Sequence, residues 1–201
     1  KLFAGWVSSG DIQNCQIPFV AIAYDLIRKR SILIDKGPLA DAMRASSSLP
    51  FIFAPFEIGD YLLVDGGVAH PLPLAFAQKV PGDITIAVNV LPPMALKAEA
   101  ISLKPTKQKT RITRYHVFME SLMQNQGFIA VQAATQFKPD IYIDAFHPHL
   151  KFTDFKKAAT FYEHGFNVAN TSLAAYSEAD FPTKLKETYE QLKLRLKEAW
   201  R

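Results

Sequence analysis

The sequence predicts an α/β domain with a mostly parallel sheet, and three observations lead there. Short apolar runs alternate along the chain with segments of helical spacing. Residues Asp83–Val90 form a nearly continuous apolar run, the pattern of a strand covered on both faces. Ile112, Tyr115, Met119, Leu122, Gln126, Ile129 and Ala133 recur at steps of three and four, which makes one face of a long helix. No linker-like stretch divides the 201 residues, so 1–201 is expected to form a single domain.

The elements follow in order. Ile17–Asp25 reads as a strand with Pro18 at its entrance, where no ladder donor is lost. Arg28-Lys29-Arg30 fits a turn, and Ser31–Ile34 a returning strand. Pro38–Ala45 is a short helix with Pro in its first turn, ended by Ser46-Ser47-Ser48-Leu49-Pro50. Glu57–Val64 is a hairpin turning at Gly59-Asp60. Pro73–Val80 is a helix, residues 91–110 a basic, Pro-rich loop, and Pro139–Ile143 a strand. Asp154–Leu173 is helical, and Leu185, Tyr189, Leu192 and Leu196 stripe a C-terminal helix over 180–201.

Composition narrows the function classes. The chain is 49% hydrophobic and 21% charged, ordinary for a packed domain. The net charge of +4 comes without an Arg/Lys stripe interleaved with aromatics, which argues against nucleic acid. A lone Cys15 excludes an internal disulfide framework and a multi-cysteine metal site, and a reducing compartment is the simplest fit. His147-Pro148-His149 has no carboxylate partner at ligand spacing and reads as loop histidines, so no metal or cofactor is expected. Asp25 ends a strand and is expected to accept N–H groups of the following turn, and Asn89 to find a partner inside its apolar strand.

The stretch YLLVDGGVAHPLPL at 61–74 carries an apolar strand into Asp65, Gly66 and Gly67. Alone it reads as a turn. Its surroundings add to it: Gly37-Pro38-Leu39, then Ala42-Met43-Arg44-Ala45-Ser46-Ser47-Ser48-Leu49-Pro50, then Phe53 and Pro55, then Asp65-Gly66-Gly67 and Pro71-Leu72-Pro73. This order resembles the distal half of the patatin-like phospholipase domain. Ile17-Pro18-Phe19, Tyr24-Asp25-Leu26, Lys138-Pro139-Asp140 and the Phe152–Gly165 segment fit the same family, so the resemblance runs from about residue 12 to about residue 175.

The resemblance implies a three-layer patatin-like domain and acyl-ester hydrolysis of lipids by a Ser–Asp dyad, with no cofactor. Asp65 matches the aspartate, with Gly66 and Gly67 as its supporting motif. Arg44, Ser46 and His70 are pocket candidates. The family's G-x-S-x-G elbow and its Gly-rich oxyanion segment are not found in the chain. Both precede this region in family order, so the chain is expected to be a distal part lacking the first strands, inactive alone, with the missing N-terminal part as companion. A non-catalytic lipid-binding or interaction module on the same fold is the competing expectation. Lys97, Lys104, Lys107, Lys109, Arg111 and Arg114 flank the apolar start of the 91–114 segment, which suits peripheral contact with an anionic membrane and a cytoplasmic or membrane-peripheral location.

Overall fold

The computed structural model describes residues 10–78, 80, 82–92, 113–149 and 154–176. The chain forms two compact units, one of residues 1–81 and 91–138 and the other of 82–90 and 139–201, taken here in turn. The 91–110 loop, save Leu91 and Pro92, and the 180–201 helix lie outside the described residues.

The first unit is built on a four-stranded sheet of order β2-β1-β4-β3. Its strands are β1 (Ala21–Asp25), β2 (Arg30–Ile34), β3 (Phe56–Ile58) and β4 (Tyr61–Asp65). All three ladders are antiparallel. The expectation of a mostly parallel sheet is therefore corrected for this unit. The reason is connection length: β1 and β2 are joined by four residues and β3 and β4 by Gly59-Asp60, and only antiparallel neighbours accept such short links. Gly59 takes φ +55°, the left-handed geometry a tight hairpin needs.

One face of this sheet is apolar because side chains alternate along each strand. Ala21, Ala23 and Asp25 of β1 are buried, and the helix α1 (Leu39–Ser46) covers them through Ala42 and Ala45. Ala23, Ala45 and Leu63 pack together, flanked by Ile32, Ile34, Phe56 and Tyr61. Small residues at 23, 42 and 45 let the helix sit close to the strands. Arg28 ties the two hairpins together, donating to Asp25 Oδ2 at 3.2 Å and to the Asp60 carbonyl at 2.8 Å.

The short helix α2 (Leu74–Ala77) is a single turn within the longer helix expected there, and Pro73 precedes it. The long helix α3 (Arg114–Phe137) is capped by Thr113, whose hydroxyl accepts the His116 N–H at 3.2 Å, and ends at Lys138 with φ +41°. Gly127 is required on its inner face: a Cβ there would stand 2.4 Å from the Pro92 carbonyl oxygen.

The second unit holds the parallel pair β5 (Ile86–Asn89) and β6 (Ile141–Asp144), packed by the helix α4 (Ala158–Ala174). The Asp83–Val90 run is not covered on both faces. Ala87 and Asn89 are buried while Ile86 and Val88 are exposed, so only one face of the strand is covered. The buried Asn89 donates to Asp144 Oδ1 at 3.3 Å. Beside them, burial and then the Asp144 charge push the Tyr142 phenol upward.

Candidate active site

Asp65 is the last residue of β4 and stands opposite Ala23 of β1. Its own N–H donates to the Ser48 carbonyl at 3.0 Å, which ties the strand end to the segment after α1. Its Oδ1 accepts the Gly67 N–H at 2.7 Å, so the carboxylate caps the 3-10 turn Gly66–Val68. Oδ2 has no hydrogen-bond partner among the described residues. The arrangement leaves one carboxylate oxygen anchored and the other open to accept a proton.

Burial pushes the Asp65 carboxyl above the usual carboxylate range, and the Gly67 N–H pulls it part of the way back. No ion pair to Asp65 exists among the described residues. A carboxylate without a cation and partly out of water is a stronger base than an exposed one.

The glycines have separate reasons. A Cβ on Gly66 would stand 2.3 Å from the Ile22 carbonyl oxygen, so the turn lies directly on the backbone of β1. A Cβ on Gly67 would stand 2.9 Å from Asp65 Oδ1 and 3.3 Å from Gln126 Nε2. Gly66 thus sets where the aspartate is held, and Gly67 leaves room around its carboxylate.

Arg44 reaches this site at second hand. It donates to Ser48 Oγ, and to the Ala54 carbonyl at 2.9 Å. Ser48 is fully buried and returns a hydrogen bond to the Arg44 carbonyl at 2.8 Å. The pair fixes the segment whose carbonyl holds the Asp65 N–H. Ser46 lies in the last turn of α1, partly buried. His70 donates its N–H to the Gly66 carbonyl at 2.9 Å, and its ring meets Phe76 edge-on at 4.9 Å. The structure therefore brings Asp65, Gly66 and Gly67 together, makes Arg44 a support, and turns the His70 ring toward Phe76.

Two residues at the site escaped the reading of the sequence. Ser48 was hidden in a run of three serines. Gln126 sat in the apolar stripe of the long helix, and a polar residue in such a stripe was the available signal. Phe51, which is 73% exposed with φ +69°, meets Phe118 of α3 with ring centroids 4.3 Å apart and planes tilted by 43°. It joins the loop after Ser48 to the helix that carries Gln126.

An apolar trough of about 450 Å³ lies on the Asp65 face of the sheet, lined by Ile32, Ile34, Phe56, Ile58, Tyr61 and Leu63. Leu63 and Tyr61 are two and four residues from Asp65 on the same side of β4, and Asp65 itself is outside the lining.

Away from this site, the His147 ring meets His164 at 4.7 Å, and the His149 N–H donates to His147 Nδ1 at 3.2 Å. Among the described residues no three His, Cys, Asp or Glu side chains converge on a metal position. Asp25 is fully buried and accepts the Ile27 N–H at 3.0 Å, as the turn after β1 predicts.

Comparison with known proteins bears on the same segment. Residues 2–77 match the family model described as patatin-like phospholipase. An uncharacterised NTE family protein of Mycobacterium tuberculosis is 43% identical over 79 residues, 39% of this chain and 22% of the relative. A Mycobacterium bovis protein of the same description matches equally. A further uncharacterised NTE family protein of M. tuberculosis is 33% identical over 73 residues, 36% of this chain and 12% of the relative. The match spans about a fifth or less of the length of these relatives.

Proposed function

We propose, from the match of residues 2–77 to the patatin-like phospholipase family model, that the full-length protein is a lipid acyl-ester hydrolase in which Asp65 is the general base. The observation that carries this reading is the Asp65 carboxylate itself, with Oδ1 anchored on the Gly67 N–H and Oδ2 without a partner among the described residues. The reading requires a serine that no G-x-S-x-G of these 201 residues supplies. In the reaction the serine Oγ attacks the ester carbonyl while Asp65 Oδ2 takes its proton. Asp65 then returns that proton to the leaving alcohol, and water hydrolyses the acyl-enzyme with the same base.

The apolar trough on the Asp65 face is where the acyl chain of such an ester would lie, its volume being in the range of small-molecule sites. The basic 91–114 segment suits contact with the anionic surface that presents the lipid. The test is Asp65→Asn in the full-length protein, assayed on a short-chain ester and on phospholipid vesicles. Hydrolysis should be lost with the fold retained, and a fully active variant overturns the assignment.

The missing elbow favours one competing reading, a lipid-binding module without turnover. A fluorophosphonate probe separates the two. Covalent labelling of the full-length protein supports the hydrolase, while vesicle binding with neither labelling nor ester turnover supports the module.

A further inference from the structure

One polar side chain beside Asp65 has no place in the dyad. Gln126 lies midway along α3 and is 3% exposed. The other buried residues on that helix are Met119, Gly127 and Ala130, none of which offers a side-chain hydrogen bond. Among the described residues its carboxamide makes no hydrogen bond. Yet no fully sealed side-chain nitrogen or oxygen lacks a partner there, so the amide keeps a small opening.

What it faces is the Asp65 turn. The point where a side chain on residue 67 would begin lies 2.9 Å from Asp65 Oδ1 and 3.3 Å from Gln126 Nε2. The carboxylate and the carboxamide therefore converge over Gly67, and only the missing Cβ leaves the space between them open. A carboxamide carries two donors and an acceptor, and the end that already lies nearest Gly67 is the donor Nε2.

We propose that Gln126 is a positioning residue for Asp65: its NH₂ group closes over Gly67 onto the Oδ1 edge of the carboxylate and leaves Oδ2 for the serine proton. Two donors on one oxygen fix the plane of the carboxylate, which a single N–H does not. The inference rests on the reading of Asp65 as base. The other groups around the carboxylate do not supply this hold. On β1, Asp25 shares the face and is occupied by Ile27 and Arg28. From α1, Arg44 is held on Ser48 and Ala54. The His70 ring lies on Phe76.

The experiment uses the full-length protein with Gln126→Met, which keeps length and removes the donors, and Gln126→Glu, which keeps shape and adds a charge. Each is read by the pH profile of kcat/KM, by kcat and KM apart, and by a carbon-13 carboxyl titration of Asp65. A hydrogen bond to a carboxylate holds its pKa down, so Gln126→Met should move the Asp65 titration and the acid limb upward by about one pH unit. Gln126→Glu should move both further up, since a second carboxylate disfavours ionisation of the first. In Gln126→Met, kcat should fall about 10-fold with KM little changed, on the scale of one positioning contact. An Asp65 titration unmoved in Gln126→Met overturns the proposal, as does an activity loss that only tracks melting temperature. Should Gln126→Met fail to fold, Gln126→Leu is read by the same titration, and an unmoved Asp65 there overturns the proposal. If Asp65→Asn proves fully active, the base assignment falls, while the carboxyl titration still reports whether Gln126 holds Asp65.

Discussion

Asp25 and Asp65 end neighbouring antiparallel strands and project from the same face of one sheet, at opposite ends of their ladder. Burial raises both, yet they titrate in opposite directions. For Asp25 the Ile27 N–H and the Arg28 guanidinium outweigh burial and hold the carboxyl below its ordinary 3.8. For Asp65 burial wins over a single N–H and the carboxyl is pushed up. Two aspartates at equivalent places thus diverge, one held as an anion and the other pushed toward its neutral acid, and the difference is the number of donors and cations each is given. Perturbed groups cluster at functional sites, and the upward shift of Asp65 supports the role proposed for it.

The sharpest way to break the comparison is to neutralise each in the full-length protein. Asp65→Asn should lower ester hydrolysis by about 10²- to 10⁴-fold, the usual contribution of a general base. It should also raise the melting temperature at pH 7, because the folded state no longer holds a poorly solvated charge. Asp25→Asn should do the reverse, lowering the melting temperature while the folded fraction keeps its turnover. Equal effects from the two would end the distinction.

Next in size is Gly66→Ala, whose methyl would collide with the Ile22 carbonyl. Overpacking of this kind costs about 3 kcal/mol in urea unfolding, and activity should fall with it as Asp65 is displaced.

The pH dependence of stability sharpens the pair further. A depressed Asp25 contributes stability that is present above about pH 3.8 and lost as pH falls through its folded pKa. A raised Asp65 does the opposite: the folded chain favours the neutral acid, so stability declines as pH rises from 3.8 through the folded pKa. Urea titrations from pH 3 to 7 should show that decline in the wild type and lose it in Asp65→Asn. The smallest expected effect is that of Ser48→Ala, about 1 kcal/mol for a lost hydrogen bond to Arg44, with a modest loss of turnover as the segment whose carbonyl accepts the Asp65 N–H loosens.

Much of this was legible in the sequence. The two hairpins, α1 after Pro38 and the strand running into Asp65 follow from alternation, Gly-Asp and Pro signals, which are local. Strand direction was not, although the short connections at 26–29 and 59–60 already excluded parallel neighbours. The exposed side of β5 was misread because a continuous apolar run says that a strand is apolar, not whether something packs on each of its faces. At the site, Asp65 and its glycines stand together in the chain. Gln126 and Ser48 are brought to them by packing, and no spacing rule joins positions so far apart. The purpose of each glycine was equally hidden, since it depends on the carbonyl of Ile22 and the amide of Gln126.

Gly66 and Gly127 share one property: each stands where a methyl group would meet a carbonyl oxygen, of Ile22 at 2.3 Å and of Pro92 at 2.4 Å. Neither does chemistry, but they set how deeply the Asp65 turn and the helix bearing Gln126 are seated. A saturation-mutagenesis scan scored by activity alone would rank both beside Asp65 and misname them catalytic. Scoring the same library for protein abundance would separate them, with the two glycines depleted in both screens and Asp65 in only one.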